Sequence, residues 1–421
     1  MFKKITLKNG FRIIASPIKG TRTVTFLVMV ATGSRYEDKR TNGISHFLEH
    51  MIFKGTEKRP TTLDITETID QIGGEYNAFT AKEYTGYYAK VASKYKKLAI
   101  DIISDIFLNS ILDPREIEKE RGVIIEELNM HLDTPTAYVG SLFEKLIYDD
   151  HPIGWLITGS KENIKMLTRD DLLEYFKTQY VASNTAVLIT GDIDEEEAIE
   201  EIKEYFRDVR EGKPKDKLPV EENQNGPKGV VHYKKTDQTH FCLGVRSCSL
   251  FSPDYFVLKV LSSILGGGMS SRLFMEIREK RGLAYYICCS SENYTDTGYL
   301  VVQAGVNTQK IEESIKVILD EFKKIREEKV SNKELNKAKE YLKGRLLLNL
   351  ESSSALAFWL GQQEILRKEI LTVDQVFERI DAVTSEDIQR VAQGIFQNSK
   401  LNIAIIGPFK DEERFNEVLV L

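Results

Sequence analysis

Apolar positions along the chain follow two different periods. Val24 to Val30, Gly74 to Thr80, Tyr84 to Val91, His240 to Val245, Ala284 to Ser290 and Gly298 to Ala304 are short runs rich in β-branched and aromatic residues, which predict strands. Between them apolar residues recur every three or four positions, which predicts helices, and Arg115 to Tyr148 reads as one long helix. A pattern also repeats. Thr168-Arg169-Asp170-Asp171, an amphipathic helix, the apolar run Ala186 to Thr190 and Gly191 return as Thr384-Ser385-Glu386-Asp387, a helix, Asn402 to Ile406 and Gly407, at a constant offset of 216 residues. Each copy opens with a capping pattern, in which a hydroxyl and a carboxylate three residues apart can satisfy each other's backbone N–H groups.

The order strand, helices, two strands, long helices occurs in each half, so the expected fold is α+β: two similar domains, each a mixed sheet with helices packed mainly on one face. Residues 211–229 are rich in Pro, Gly, Lys and Glu and nearly free of apolar residues, which predicts a linker. The expected division is therefore 1–210, a linker at 211–229, and 230–421.

Composition narrows the function. Lys and Arg number 58 against 64 Asp and Glu, a formal charge of -6, so the basic footprint of a nucleic-acid binder is lacking. No apolar run reaches the roughly 18 residues of a spanning helix, and the first residues alternate like a strand, so neither a membrane partner nor a secretory leader is expected and the location is read as cytoplasmic. Cys242, Cys248, Cys288 and Cys289 are expected to be plain thiols, because neighbours on a strand such as Cys288 and Cys289 point to opposite faces.

Chemistry concentrates in residues 44–54, ISHFLEHMIFK. His46 and His50 are one helical turn apart and can offer two imidazole nitrogens to one zinc ion. Glu49 stands beside them as a general base for water at the metal, in the order H-x-x-E-H. A third ligand must come from elsewhere. On the helix that follows, Glu127 shares a face with Glu120, Val123, Ile124 and His131, whereas Glu126 shares one with Lys119, Gly122, Asn129 and Asp133. The first face is the more apolar, so Glu127 is the expected ligand, with Glu120 behind it to orient a histidine.

Three blocks, GSRYEDKRTNGISHFLEHMIFKGT, ERGVIIEELNM and GGGMSSRLFMEIREKRGLAYYI, resemble those of the pitrilysin-type (inverzincin, M16) zinc metallopeptidases, in the short form similar to mitochondrial processing peptidase. The 76 residues between His50 and Glu127 agree with that family's spacing. The resemblance runs end to end. It implies one Zn2+ per chain and endopeptidase action on short or unfolded peptides. It further implies that Arg278 and Tyr285 bind the substrate and stabilise the oxyanion, and that the segment containing Asn77 and Ala78 is an edge strand on which peptide is laid. Short members pair two chains into a chamber, so a homodimer is expected. Two further segments bear on function. Gly266-Gly267-Gly268 lacks the spacing of a phosphate loop and reads as a turn between helices, and Ala137 and Ser141 stand where the processing peptidase has arginine-selecting acids. The alternative from another class is a catalytically silent scaffold or peptide-binding subunit of the same fold.

Overall fold

Both copies of the 216-residue repeat take the same backbone form in the computed structural model, which describes residues 2–411 and 413–421. Thr168 and Thr384 accept from the N–H groups of Asp171 and Asp387, whose carboxylates accept in return, closing capping boxes that start the helices Arg169–Gln179 and Ser385–Ile395. Each helix leads through a short 3-10 turn into a strand that is buried throughout, Thr185–Gly191 or Leu401–Gly407.

The chain forms two units. The first comprises Met1–Asn129, Trp155–Leu218 and Leu348–Ile370. Its sheet contains β1 (Lys3–Thr6), β2 (Arg12–Pro17), β3 (Thr23–Val30), β4 (Glu75–Thr80), β5 (Thr85–Ala92) and β6 (Thr185–Gly191) in the order β1-β2-β6-β3-β5-β4. β2 and β6 pair in parallel and the other neighbours antiparallel, so the sheet is mixed, and β4 is an edge strand. Helices Lys96–Asn109 and Glu195–Tyr205 pack on one face, where Phe206 stacks on Phe11 with ring centroids 5.0 Å apart. The opposite face is covered by one helix, Ser353–Arg367, whose Ala357, Leu360 and Ile365 meet Ile14, Leu27, Met29, Ala186 and Leu188. Gly361 lets that helix approach, since a Cβ there would lie 2.4 Å from Met29 Sδ. Glu364 fixes it laterally: the carboxylate is wholly buried, 2.6 Å from Lys4 Nζ and 3.5 Å from Arg12 Nη1.

The second unit comprises Met130–Gly154, Pro219–Leu347 and Leu371–Leu421. It holds β7 (Lys228–Tyr233), β8 (Gln238–Ser247), β9 (Ala284–Asn293), β10 (Gly298–Asn307) and β11 (Leu401–Gly407) in the order β7-β11-β8-β10-β9, with β7 and β11 parallel. Helices including Tyr255–Gly266, Ile311–Glu327 and Ser385–Ile395 build the main core, in which Phe322 stacks on Phe396. The other face carries Pro135–Tyr148, with Val139, Leu142 and Phe143 against Cys242, Tyr299, Val301 and Ala404.

Each unit thus includes one helix from the other half of the sequence, so the packing units differ from the division 1–210 and 230–421. The expected single helix from Arg115 to Tyr148 is instead two, Pro114–Asp133 and Pro135–Tyr148. Pro135 has no N–H to continue the ladder, and its ring drives Thr134 out of the helical region, to φ -101 and ψ 94. The stretch 211–227 carries no helix or strand, yet it is tied down: Arg35 Nη2 donates to Leu218 O at 3.1 Å, and Gln224 Nε2 donates to Leu401 O at 3.2 Å. All four cysteines are free thiols, and among the described residues no helix is long and apolar enough to cross a membrane.

Candidate metal centre

The helix Ile44–Ile52 is anchored by its apolar side, where Ile44, Phe47, Leu48, Met51 and Ile52 are buried. That fixes the direction of the two histidines. Their rings meet edge-on with centroids 4.7 Å apart, as expected for neighbours one turn apart. Opposite them, Ile117, Glu120, Ile124 and Leu128 form the buried stripe of Pro114–Asp133. Glu127 sits at the margin of this stripe, half-buried, while Glu126 is exposed and accepts from Asn129 Nδ2 at 3.3 Å. Val123, expected on the apolar face, is 51% exposed, because the stripe runs one position to the side of the face assigned from an ideal helical wheel.

His46 Nε2 lies 3.6 Å from Glu127 Oε1, and His50 Nε2 lies 3.4 Å from Glu127 Oε2. Ligand atoms around a tetrahedral zinc with bonds of about 2.0–2.2 Å are separated by roughly 3.3–3.6 Å, so this donor set fits the ion as it stands. His46, His50 and Glu127 form the one three-residue His/Cys/Asp/Glu group with metal-like spacing among the described residues. Behind His50, Nδ1 is 3.0 Å from Glu120 Oε2, and Lys54 Nζ is 2.5 Å from Glu120 Oε1. A carboxylate only accepts, so Nδ1 carries a proton toward Glu120, and loss of the other ring proton, at Nε2, would free that nitrogen's lone pair for a ligand bond.

The electrostatics favour a cation at this point. Burial alone would lower the His50 pKa, but hydrogen bonds to Glu120 and Glu127 and the charges of Glu127 and Glu49 outweigh it and bring it to about 9. Glu127 is held far below the usual carboxylate range by hydrogen bonds from His46 and His50. Glu120 is also depressed: burial raises it, and His50 and Lys54 more than compensate.

Glu49 projects beside the histidines and accepts from Thr80 Oγ1 at 2.6 Å. Thr80 ends β4, which also carries Asn77 and Ala78; Asn77 is exposed, and its Oδ1 accepts from Ala78 N at 2.8 Å. Among the described residues β4 pairs only with β5, which leaves its outer edge for an added strand.

Arg278 and Tyr285 belong to the second unit. Arg278 is exposed on the π-helical turn Phe274–Glu279, with its guanidinium 5.0 Å from the centroid of the Phe274 ring. Tyr285 is on the edge strand β9 and is 62% exposed, so it is not a core-facing tyrosine. The Gly266 to Gly268 run does end a helix. A Cβ on Gly266 would lie 2.3 Å from Cys289 N, which explains a glycine there by close helix–strand packing. Ser141 Oγ lies 3.0 Å from His131 Nε2, so a hydroxyl and no acid occupies the position.

Two contributors escape the sequence reading. Lys54 had a faint signal, one further helical turn beyond His50, but Thr80 had none, because only strand pairing brings it to Glu49.

Known proteins resemble the chain over nearly its whole length. Residues 12–157 match the family described as insulinase (peptidase family M16), and residues 166–342 match the peptidase M16 inactive domain. The chain is 34% identical to the uncharacterized zinc protease YmxG of Bacillus subtilis, over 97% of this chain and 98% of that one. It is 33% identical to an uncharacterized zinc protease of Streptomyces coelicolor, over 98% and 90%. Among solved structures, a protease from Helicobacter pylori superposes with TM-score 0.91 at 24% identity, covering 97% and 99% of the two chains. A peptidase M16 inactive domain protein from Pseudomonas fluorescens has the same fold, with TM-score 0.88 at 17% identity over 98% and 99%. The H-x-x-E-H cluster occurs only in the first half, consistent with the description of the second family as inactive.

Proposed function

The chain belongs to the M16 peptidase family in its short form, and from that premise we propose that it is a zinc-dependent metalloendopeptidase hydrolysing short or unfolded peptides. The observation that carries this is the convergence of His46, His50 and Glu127 with Glu49 held beside them by Thr80. His46, His50 and Glu127 would hold one zinc ion, which supplies Lewis acidity to polarise a scissile carbonyl and to acidify water. Glu49 takes a proton from the attacking water as the C–O bond forms and delivers it to the amine as the C–N bond breaks. The open edge of β4 receives the peptide through backbone hydrogen bonds near Asn77 and Ala78, so selection by residue identity is modest. Arg278 and Tyr285 supply donors to the substrate backbone and to the oxyanion.

The assembly proposed is a homodimer forming a closed chamber, with the Arg278/Tyr285 pair of one chain serving the zinc site of its partner. A chain that carries both sets of residues makes two identical sites by two-fold symmetry. A sedimentation mass of one chain at full activity contradicts this.

The silent-scaffold reading is disfavoured by an intact donor set with its base in place. The test is zinc analysis of the purified protein together with cleavage of unstructured peptides with and without chelator. Glu49→Gln should keep the metal and lose at least about 10²-fold in turnover. Normal cleavage by that variant removes the proposed mechanism, and cleavage indifferent to chelator removes the zinc assignment.

A further inference from the structure

The two histidines are supported unequally. His50 has Glu120 behind it, whereas His46 Nδ1 is buried with no protein hydrogen-bond partner among the described residues. Histidine ligands usually owe their orientation to an outer hydrogen bond. His46 lacks that support, so its place depends on the backbone of the first turn of its helix. That turn has an unusual start. Its N-cap, Gly43, has φ 102 and no side chain to accept from the free N–H groups, and a Cβ there would lie 2.7 Å from Thr158 O, so no capping side chain can replace it.

The missing acceptors come from Glu37. Its Oε2 accepts from Gly43 N at 2.8 Å and from Asn42 Nδ2 at 2.9 Å, and its Oε1 accepts from Ser45 N at 2.9 Å. Glu37 is 4% exposed. Ser45 is tied on its other side as well, with Oγ 2.7 Å from Tyr175 OH, which is in turn 2.8 Å from Thr32 Oγ1. A buried carboxylate spanning the N-cap and N2 amides also complements the positive end of the helix dipole. His46 is the next residue along.

We infer that Glu37 is a positioning residue for the metal centre, holding the first turn of the histidine helix so that His46 Nε2 stays in register with Glu127. The inference rests on the zinc reading and assigns a role that the ligand set does not contain. Glu37→Gln replaces one acceptor oxygen by a donor amide facing other donors, so one of the two backbone bonds is lost. Glu37→Asp keeps the charge and withdraws it by one carbon.

Zinc affinity is measured by competition with a chromogenic chelator, and ligand geometry by the visible spectrum of the Co2+-loaded protein. Glu37→Gln is expected to weaken zinc by about 10- to 100-fold and to alter the cobalt spectrum, with Glu37→Asp in between. Thr372→Ala, which uncaps the helix Val373–Asp381 of the second unit, serves as a control: it should lower the melting temperature and leave zinc affinity unchanged. Wild-type affinity and spectrum in both Glu37 variants, even with lowered melting temperatures, overturn the positioning role and leave the zinc reading standing. If Glu37→Gln does not fold, Glu37→Asp decides alone. A wild-type protein that takes up no zinc removes both.

Discussion

Thr80 Oγ1 donates to Glu49 Oε2 at 2.6 Å, joining the last residue of an edge strand to the carboxylate between the two histidines. The same strand is the one proposed to receive substrate, so the base is oriented by the element that lies along the peptide. Thr80→Val should lower kcat by about 10-fold with little change in KM, since it frees the rotamer of Glu49 without touching the metal ligands. Thr80→Ser should restore most of the loss. Steady-state kinetics on one peptide separate the cases, and equal rates for Val and Ser variants contradict an orienting hydroxyl.

Glu120 faces His50 on one oxygen and Lys54 on the other. Removing its charge as Glu120→Gln should weaken zinc by about 10- to 100-fold, the range for outer partners of metal ligands. Chelator competition measures it. Unchanged affinity would show that packing alone orients the His50 ring.

Glu364 is shared by Lys4 and the buried Arg12. Glu364→Ala leaves Arg12 without its counter-ion and should destabilise the first unit by about 3–5 kcal/mol in urea unfolding, whereas replacing Arg12 and Glu364 together by methionine should cost much less. Similar losses in the single and double variants would argue against an ion-pair origin.

Asp171 gives a pH signature. The bond from Arg40 and those from Thr168 outweigh its partial burial and bring its pKa to about 2, below the ordinary value of about 3.9. A depressed carboxyl stabilises the fold above its unfolded pKa and loses that contribution as pH falls through the folded one. Asp171→Asn should therefore cost about 1 kcal/mol at neutral pH, limited by the exposure of Arg40, and the gap should close between about pH 5 and about pH 2. A gap constant across that range would assign the effect to packing.

The legible parts of this protein are those written in local spacing. The repeat at 216 residues corresponds to matching helices and strands, and His46, His50 and Glu127 come together from the two helical faces to which their spacing assigns them. Val123 shows how coarse that device is, since a small rotation of the stripe carried it into solvent while leaving Glu127 at the margin. Pro135 was visible, but the periodicity on either side masked the break. The exchange of Pro135–Tyr148 and Ser353–Arg367 had no sequence signal, because an amphipathic helix shows that it needs an apolar surface and not which of two similar sheets provides it. Thr80 and Glu37 act through side-chain geometry that no periodicity encodes.

The traded helices change what it means to cut this chain. A protease nick within 211–229 severs the only peptide connection between the halves, yet each fragment still carries a helix embedded in the unit built mainly by the other. Separation then requires two amphipathic helices to be peeled from two sheets at once, so the nicked molecule is held by interlocking as well as by covalent continuity. Conversely, neither fragment made by itself contains all of either core, and co-expression of the two is the route by which a split version would assemble.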